Sequence, residues 1–329
     1  DVYRRESPPV RSFSDFACFV ALFPQLIAGP IVRYHTVAEQ LVERSHTTEQ
    51  FSSGVMLFIM GFAKKIMLAN PVGQAADAAF AADNLYAMDA WFGVAAYAFQ
   101  IYFDFSAYSD MAVGLGRMFG FEFIRNFNAP YLSDSITEFW RRWHISLSTF
   151  LRDYLYIPLG GNRKSNLRTY INLTIVMLLG GLWHGANWVF VAWGAYHGLL
   201  LAFERWRGKE SVYHKLPRAI RVGITFVLVL FSWVLFRSPN IETAFGYLGA
   251  MFGASSPTWG SALLGSELYT RGNLIMMAVC ALLTFQPIQA HDLAERVSWG
   301  KVILMAGLFC MSLMTMFAQA FNPFLYYQF

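Results

Sequence analysis

The stretch "LLGGLWHGANW" (residues 178–188) places a histidine between two long hydrophobic runs. An imidazole inside an apolar segment carries a desolvation cost, which a packing partner or a functional role must offset. Gly180 and Gly181 precede His184, and Gly185 and Asn187 follow it. Glycine and asparagine favour helix ends and turns, so the pattern predicts that the chain reverses direction here.

Basic residues flank these two runs, at 163–168 and at 205–221. Lys and Arg favour the cytoplasmic side of a membrane. If both loops are cytoplasmic, residues 169–204 form a re-entrant hairpin. Its first arm of about 14 residues reaches roughly 20 Å into a hydrocarbon core of about 30 Å, which predicts a deeply placed His184. If one loop is extracellular, the runs are separate spans and His184 lies at an interface.

The composition indicates a membrane protein, because 56% of the 329 residues are hydrophobic and only 14% are charged. Soluble domains carry about 25% charged residues. The chain therefore predicts an all-α, polytopic protein with the lipid bilayer as a partner. A net charge of +4, with no basic arm, argues against nucleic acid as a partner. Eight apolar runs approach the length of a membrane span: 14–32, 52–70, 88–105, 169–183, 186–204, 219–237, 272–288 and 300–320.

Several of the predicted helices are broken. The run at 14–32 contains Pro24 and then "AGP" at residues 28–30. Proline removes a backbone donor and clashes with the preceding turn. Irregular backbone is tolerated at membrane depth only inside protein or beside a water-filled cavity. This run is therefore expected to bend or re-enter, although an ordinary proline kink explains the pattern equally well.

The segment at 135–157 is too polar to span a membrane but has a strong apolar side. Its tryptophans, tyrosines and arginines favour the membrane interface. The segment predicts one amphipathic helix that carries His144, with a capping box formed by Ser135 and Glu138. Its arginines are suited to phosphate groups, and snorkelling is the alternative explanation for them. They are Arg141, Arg142 and Arg152.

Two carboxylates, Asp104 and Asp110, lie in an otherwise apolar run at 100–121. Buried carboxylates need partners, so they are expected to face other polar groups or a cavity. They are candidate substrate-binding or donor-binding residues.

Four long strings, in this order, resemble the membrane-bound O-acyltransferase family, in particular its alginate O-acetyltransferase branch. The resemblance runs from the first residues to beyond residue 204. One departure is Asn70, where related chains commonly carry an acid. The strings are "FPQLIAGPIVRY" (23–34), "YFDFSAYSDMAVGLG" (102–116), "SITEFWRRWHISLSTFLRDYLYIPLGGNR" (135–163) and "LLGGLWHGANW" (178–188).

This resemblance implies broken, tilted and re-entrant helices around a central tunnel that joins the two faces of a bacterial inner membrane. It implies that His184 is the catalytic histidine and His144 the family's second characteristic histidine. It further implies acetyl-CoA as the cytoplasmic acyl donor, passage of the acetyl group across the membrane, and no tightly bound cofactor. Periplasmic or membrane-anchored polysaccharide acetylation proteins are the implied partners. Residues 1–329 are expected to form a single domain that lacks further N-terminal membrane helices.

Acyl transfer from a thioester to an alcohol needs a base and donors that stabilise the oxyanion. Neutral imidazole is a good base near pH 7, so His184 is the predicted general base. Asn187 is a candidate oxyanion donor, and no motif predicts a metal site. His144 could orient a substrate or line the tunnel, and a purely structural role stays open for it.

Other mechanisms and functions also stay open. Ser146 or Ser148 could form an acyl-enzyme. Broken helices with intramembrane carboxylates also suit a transporter or channel, although no inverted repeat is visible. A non-catalytic scaffold, or an enzyme that transfers D-alanine to teichoic acid, would share much of this pattern.

Overall fold

The computed structural model describes residues 1–5, 7–26, 29–208, 212–256 and 258–319. These residues form α-helices and contain no β-strand, which confirms the all-α class. The helices are α1 (Phe13–Ala21), α2 (Tyr34–Val42), α3 (Thr48–Ala63), α4 (Asn70–Ala81), α5 (Ala87–Met118), α6 (Ile136–Arg142), α7 (Ile145–Leu151), α8 (Asn166–His184), α9 (Trp188–Arg207), α10 (Val212–Lys215), α11 (Arg218–Arg237), α12 (Ile241–Met251), α13 (Trp259–Leu268), α14 (Arg271–Thr284), α15 (Ala290–Ala294) and α16 (Trp299–Ala318).

Three helical segments among the described residues are long and apolar enough to cross a bilayer: Thr48–Ala81, Arg218–Arg237 and Trp299–Ala318. The first joins α3 to α4 through a π-helical segment at Lys64–Ala69. Pro71 lies two residues after the end of this segment. Proline has no amide hydrogen to give to the helix, and a local π turn is one way in which a helix accommodates that loss.

Helix α5 lies at the centre of the fold and packs against α3, α4, α11 and α12. Two of its three acidic residues, Asp104 and Asp110, have cationic partners, as expected of buried carboxylates. The Lys64 ammonium lies 2.6 Å from Asp110, and Lys65 pairs with Asp104. His291 Nε2 lies 3.3 Å from the other oxygen of Asp110. The π-helical segment therefore supplies the two lysines that pair with Asp104 and Asp110.

Helices α8 and α9 form the expected antiparallel hairpin, but the turn is shorter than predicted. It comprises residues 185–187, while Gly180 and Gly181 belong to α8. These helices approach so closely that a Cβ atom at Gly181 would lie 2.2 Å from the Phe190 carbonyl oxygen. One at Gly194 would lie 2.3 Å from the Met177 carbonyl oxygen. The glycines act as small residues at a helix interface, not as helix breakers.

The first arm of this hairpin is also longer than expected. Helix α8 has 19 residues, or about 28 Å at 1.5 Å per residue. The His184 ring lies 5.1 Å from the ring of Phe236, one residue before α11 ends. His184 therefore lies level with the end of a segment long enough to span a membrane, not with its middle. The side of the membrane on which each end lies stays a prediction.

The prediction of a single amphipathic helix at 135–157 is wrong, because the structure has two helices there with a break between them. Helix α6 ends at Arg142, and α7 begins at Ile145. Between them His144 has φ 44° and ψ 56°, a left-handed conformation that few non-glycine residues adopt. The capping prediction at the start of α6 is confirmed in part. Ser135 accepts a hydrogen bond from the Glu138 amide, but the Glu138 carboxylate accepts from Asp134 instead.

The bend predicted in the first apolar run is present. Helix α1 ends at Ala21, and a 3₁₀ turn at Phe23–Gln25 contains Pro24. Ala28, the first residue of the "AGP" string, lies outside the described residues.

The glycine contact between α8 and α9 can be tested with Gly194→Ala. The added methyl group would collide with backbone atoms of α8, and overpacking of this kind costs about 1–3 kcal/mol. The melting temperature in detergent should fall by at least about 3 °C. Gly246→Ala in α12 is the matched control, because a Cβ atom there would meet no other atom within 4 Å. Equal melting temperatures for both variants would contradict the contact.

Candidate active site

An elongated cavity of about 650 Å³ lies between the α6–α7 segment and the α8–α9 hairpin. His184 lines it, as do Leu173, Met177 and Gly180 on the same face of α8. Three arginines line it as well, two of them from the amphipathic segment and one from the end of α9: Arg141, Arg152 and Arg205. The cavity therefore joins a histidine to a group of cations.

The His184 ring is partly exposed and surrounded by aromatic side chains. Its centroid lies 5.3 Å from Trp193 and 5.1 Å from Phe236, both in edge-to-face geometry. Trp183 and Phe190 complete the surroundings. This apolar enclosure limits water around the imidazole, while the open side of the ring faces the cavity.

His144 lies close to His184, and both contact the Trp183 indole. The Trp183 ring is 5.1 Å from His184 and 6.3 Å from His144. His144 is only 3% exposed and is not among the residues that line the cavity. The structure therefore brings together the two histidines that the sequence singled out, each beside the same aromatic ring.

The predicted phosphate-binding arginines differ in their surroundings. Arg141 is exposed, lines the cavity, and has no hydrogen bond or ion pair to any described residue. Arg142 is not on the cavity wall; it lies 2.6 Å from Glu138 and donates to the Asn128 carbonyl oxygen. Arg152 lines the cavity and also pairs with Asp153 at 2.6 Å.

Asp153 connects two arginines at the edge of this site. Its second oxygen accepts a hydrogen bond from Arg33 at 2.7 Å. The hydrogen bond from Arg152, helped by that from Arg33, lowers the pKa of Asp153 to about 2. The carboxylate is therefore ionised throughout the physiological pH range, and the Arg33–Asp153–Arg152 cluster keeps its charges.

Asn187 caps the start of α9 instead of facing the cavity. Its side-chain oxygen accepts a hydrogen bond from the Val189 amide at 3.3 Å. Its side-chain nitrogen donates to the Pro239 carbonyl oxygen at 2.9 Å. These contacts join the hairpin turn to the residues after α11, and the oxyanion role stays a prediction.

Asp104 and Asp110 lie outside the cavity that contains His184. Both are held in the ion pairs between α5 and the π-helical segment. A role in substrate binding is a prediction that their positions do not support.

His197 is fully buried beside the site and has a packing role. The Trp140 indole nitrogen donates a hydrogen bond to His197 Nδ1 at 3.3 Å. The ring stacks against Phe139 and meets the edge of Trp193. His197 therefore supports the aromatic wall behind His184.

Two residues of this site were not recognised in the sequence. Arg205 is near the end of α9 and reaches the cavity because the hairpin returns toward the amphipathic segment. Asn126 contacts His144 from a loop 18 residues earlier in the chain. Neither residue stands in a motif, so only the tertiary structure identifies them.

No group of three potential metal-ligating side chains occurs among the residues that the structure describes.

Comparison with known proteins identifies one family of membrane acyltransferases. A model of the membrane-bound O-acyltransferase family matches residues 5–236. The chain is 46% identical to a probable alginate O-acetylase of Pseudomonas putida, with 100% of this chain and 72% of the relative covered. It is 34% identical to a peptidoglycan O-acetyltransferase of Helicobacter pylori, with coverages of 98% and 67%. A teichoic acid D-alanyltransferase of Streptococcus thermophilus is 27% identical, with coverages of 68% and 61%.

Asn187 variants separate the capping role from the oxyanion role. Asn187→Ala removes the cap, which should cost about 1 kcal/mol of stability. Asn187→Ser keeps a capping oxygen but has no side-chain amide to donate. We expect the serine variant to retain most of the wild-type stability and acyl transfer, as measured by thermal melting and by an activity assay. Loss of transfer in a stable serine variant would instead support the oxyanion role.

Proposed function

Since this chain belongs to the membrane-bound O-acyltransferase family and is an O-acetyltransferase, we propose that it acetylates an exported polysaccharide with acetyl groups from acetyl-CoA. The observation that carries the proposal is the cavity that joins His184 to three arginines. Alginate is the proposed acceptor, because the relatives similar over the whole chain include probable alginate O-acetylases.

His184 is the proposed general base. It takes the proton of the attacking hydroxyl while the new carbon–oxygen bond forms and the carbon–sulfur bond of the thioester breaks. The proton then passes to the leaving thiolate, so the enzyme returns to its starting state. The aromatic enclosure of His184 supports this role, because an imidazole shielded from water stays neutral and can accept a proton.

The arginines are the proposed contacts for the donor. Coenzyme A carries phosphate groups, and a guanidinium binds phosphate through paired hydrogen bonds. Arg141 is the strongest candidate of the three, because no described residue pairs with it. Arg152 and Arg205 add positive charge along the same wall, so the donor's thioester would extend from them toward His184.

The chain is a membrane protein, and we place it in the bacterial inner membrane as a multi-pass protein. The basic ends of α8, α9 and α11 would face the cytoplasm, where acetyl-CoA is made. The turn that carries His184 would then lie toward the outer face. Periplasmic or membrane-anchored acetylation proteins are the proposed partners that complete delivery to the polysaccharide. A single domain over residues 1–329 is part of the same proposal.

A transporter function has less support. Its argument rested in part on the intramembrane carboxylates Asp104 and Asp110, and both are paired with lysines. Their charges favour a structural role that fixes α5 against the segment after α3.

The base is tested with His184→Gln in membranes that contain the partner proteins, polysaccharide and labelled acetyl-CoA. General base catalysis contributes about 10²–10⁴-fold, so transfer of label should fall at least about 100-fold. His46→Gln is the matched control, because His46 is exposed and outside the cavity. Near-normal labelling by the His184 variant, at equal expression, would remove this histidine from the mechanism. Labelling of peptidoglycan instead of alginate would change the proposed acceptor but not the proposed reaction.

The donor contact is tested with Arg141→Gln. Loss of one charge-assisted contact should raise the KM for acetyl-CoA about tenfold, with a smaller change in kcat. Arg163→Gln removes the same charge from an exposed residue outside the cavity. If both variants raise KM equally, the effect is one of overall charge, and Arg141 does not contact the donor.

A further inference from the structure

A short strap, residues 126–128, runs beside the break between α6 and α7. The Ile145 amide donates to the Asn126 carbonyl oxygen at 2.9 Å, and the Asn128 amide donates to the Arg142 carbonyl oxygen at 3.0 Å. These two bonds fix the backbone on both sides of His144. They help to stabilise the left-handed conformation that this residue adopts.

The side chain of Asn126 makes three contacts through a single atom. This Oδ1 atom lies 3.1 Å from the Ser146 amide nitrogen, 2.9 Å from the Ser146 hydroxyl and 3.2 Å from His144 Nδ1. A backbone amide can only donate, so the atom that it contacts must be the oxygen of Asn126, not the nitrogen. The amide orientation is thereby settled by its neighbour.

This assignment determines which nitrogen of His144 carries the proton. An amide oxygen can only accept, so His144 Nδ1 must donate to it. The Ser146 hydroxyl has one hydrogen; its oxygen lies 2.9 Å from Asn126 Oδ1 and 3.4 Å from His144 Nδ1, so the shorter contact takes that hydrogen and the hydroxyl can accept from Nδ1. Neutral His144 is therefore protonated on Nδ1, and its Nε2 has a lone pair.

His144 Nε2 is buried and has no hydrogen-bond partner among the described residues. The rings around it are those of Phe105, Phe127 and Trp183, none of which can donate through its face as strongly as a hydroxyl. Buried polar atoms are almost always satisfied, by protein, by water or by a ligand. An acceptor atom in this position, beside the same aromatic ring as His184, is suited to a hydroxyl donor.

We propose that Asn126 is a positioning residue that holds His144 as the Nδ1–H tautomer, so that Nε2 accepts a hydrogen bond from a substrate hydroxyl beside the reacting one. The proposal rests on the acetyl-transfer function, in which the proton of the reacting hydroxyl passes to His184. No covalent bond forms at His144. Protonation of Nε2 would remove the acceptor and stop this alignment of the hydroxyl.

The tautomer is tested in the wild-type chain by nitrogen NMR of ¹⁵N-histidine-labelled protein. The His144 signals are identified by their loss in His144→Gln. Near neutral pH we expect a protonated Nδ1 and an unprotonated Nε2. The reverse assignment would overturn the proposal. This measurement needs no acetyl transfer, so its outcome is separate from that of the proposed function.

The functional part is tested with Asn126→Asp and its matched control Asn128→Asp. Aspartate keeps the accepting oxygen but adds a negative charge beside His144, which makes the imidazole more basic. The acid side of the pH–rate profile should move upward by about 1 pH unit in Asn126→Asp alone. The titratable group that faces His144 from α8 is His184, which both variants retain. Asn128 belongs to the same strap, but its side chain makes no hydrogen bond to His144.

Superimposable profiles for the two variants, in an active protein, would show that Asn126 does not act through His144. If the aspartate variant unfolds, Asn126→Ser offers a shorter acceptor. It should lower kcat several-fold with little change in the KM for acetyl-CoA, and an unchanged kcat would overturn the proposal.

Discussion

The close approach of α8 and α9 is the constraint on which the site depends. Their backbones come so near at Gly181 and Gly194 that neither position has room for a methyl group. This contact sets the turn at residues 185–187, and the turn presents His184 at the end of the cavity. Tight packing through small residues suits a membrane helix pair, because lipid gives little hydrophobic force for association.

The second histidine is held by a different device. Helix α6 stops at Arg142, and the strap at 126–128 takes up backbone hydrogen bonds that a continuous helix would have used. A left-handed non-glycine residue costs of order 1–3 kcal/mol, which these bonds offset. Backbone strain at a residue whose side chain also has an unsatisfied buried nitrogen is typical of a functional position.

The sequence predicted the helical class, the hairpin and the two histidines, because apolar runs and a specific motif are local signals. It did not predict the break at His144, since the residues at 135–157 have a continuous amphipathic pattern and the residues that hydrogen-bond the backbone at the break, Asn126 and Asn128, lie in another segment. The lengths of the hairpin arms were also underestimated, because Gly180 and Gly181 look like helix breakers until the facing helix is known. Arg205 was missed for a related reason: only the return of α9 brings it to the cavity.

The burial of His144 has a consequence for side reactions. A thioester in the cavity is exposed to hydrolysis whenever a base can activate a nearby water. His144 is almost without solvent contact and does not line the cavity that His184 lines. A single imidazole therefore borders the donor compartment, which limits the wasteful loss of the activated acetyl group.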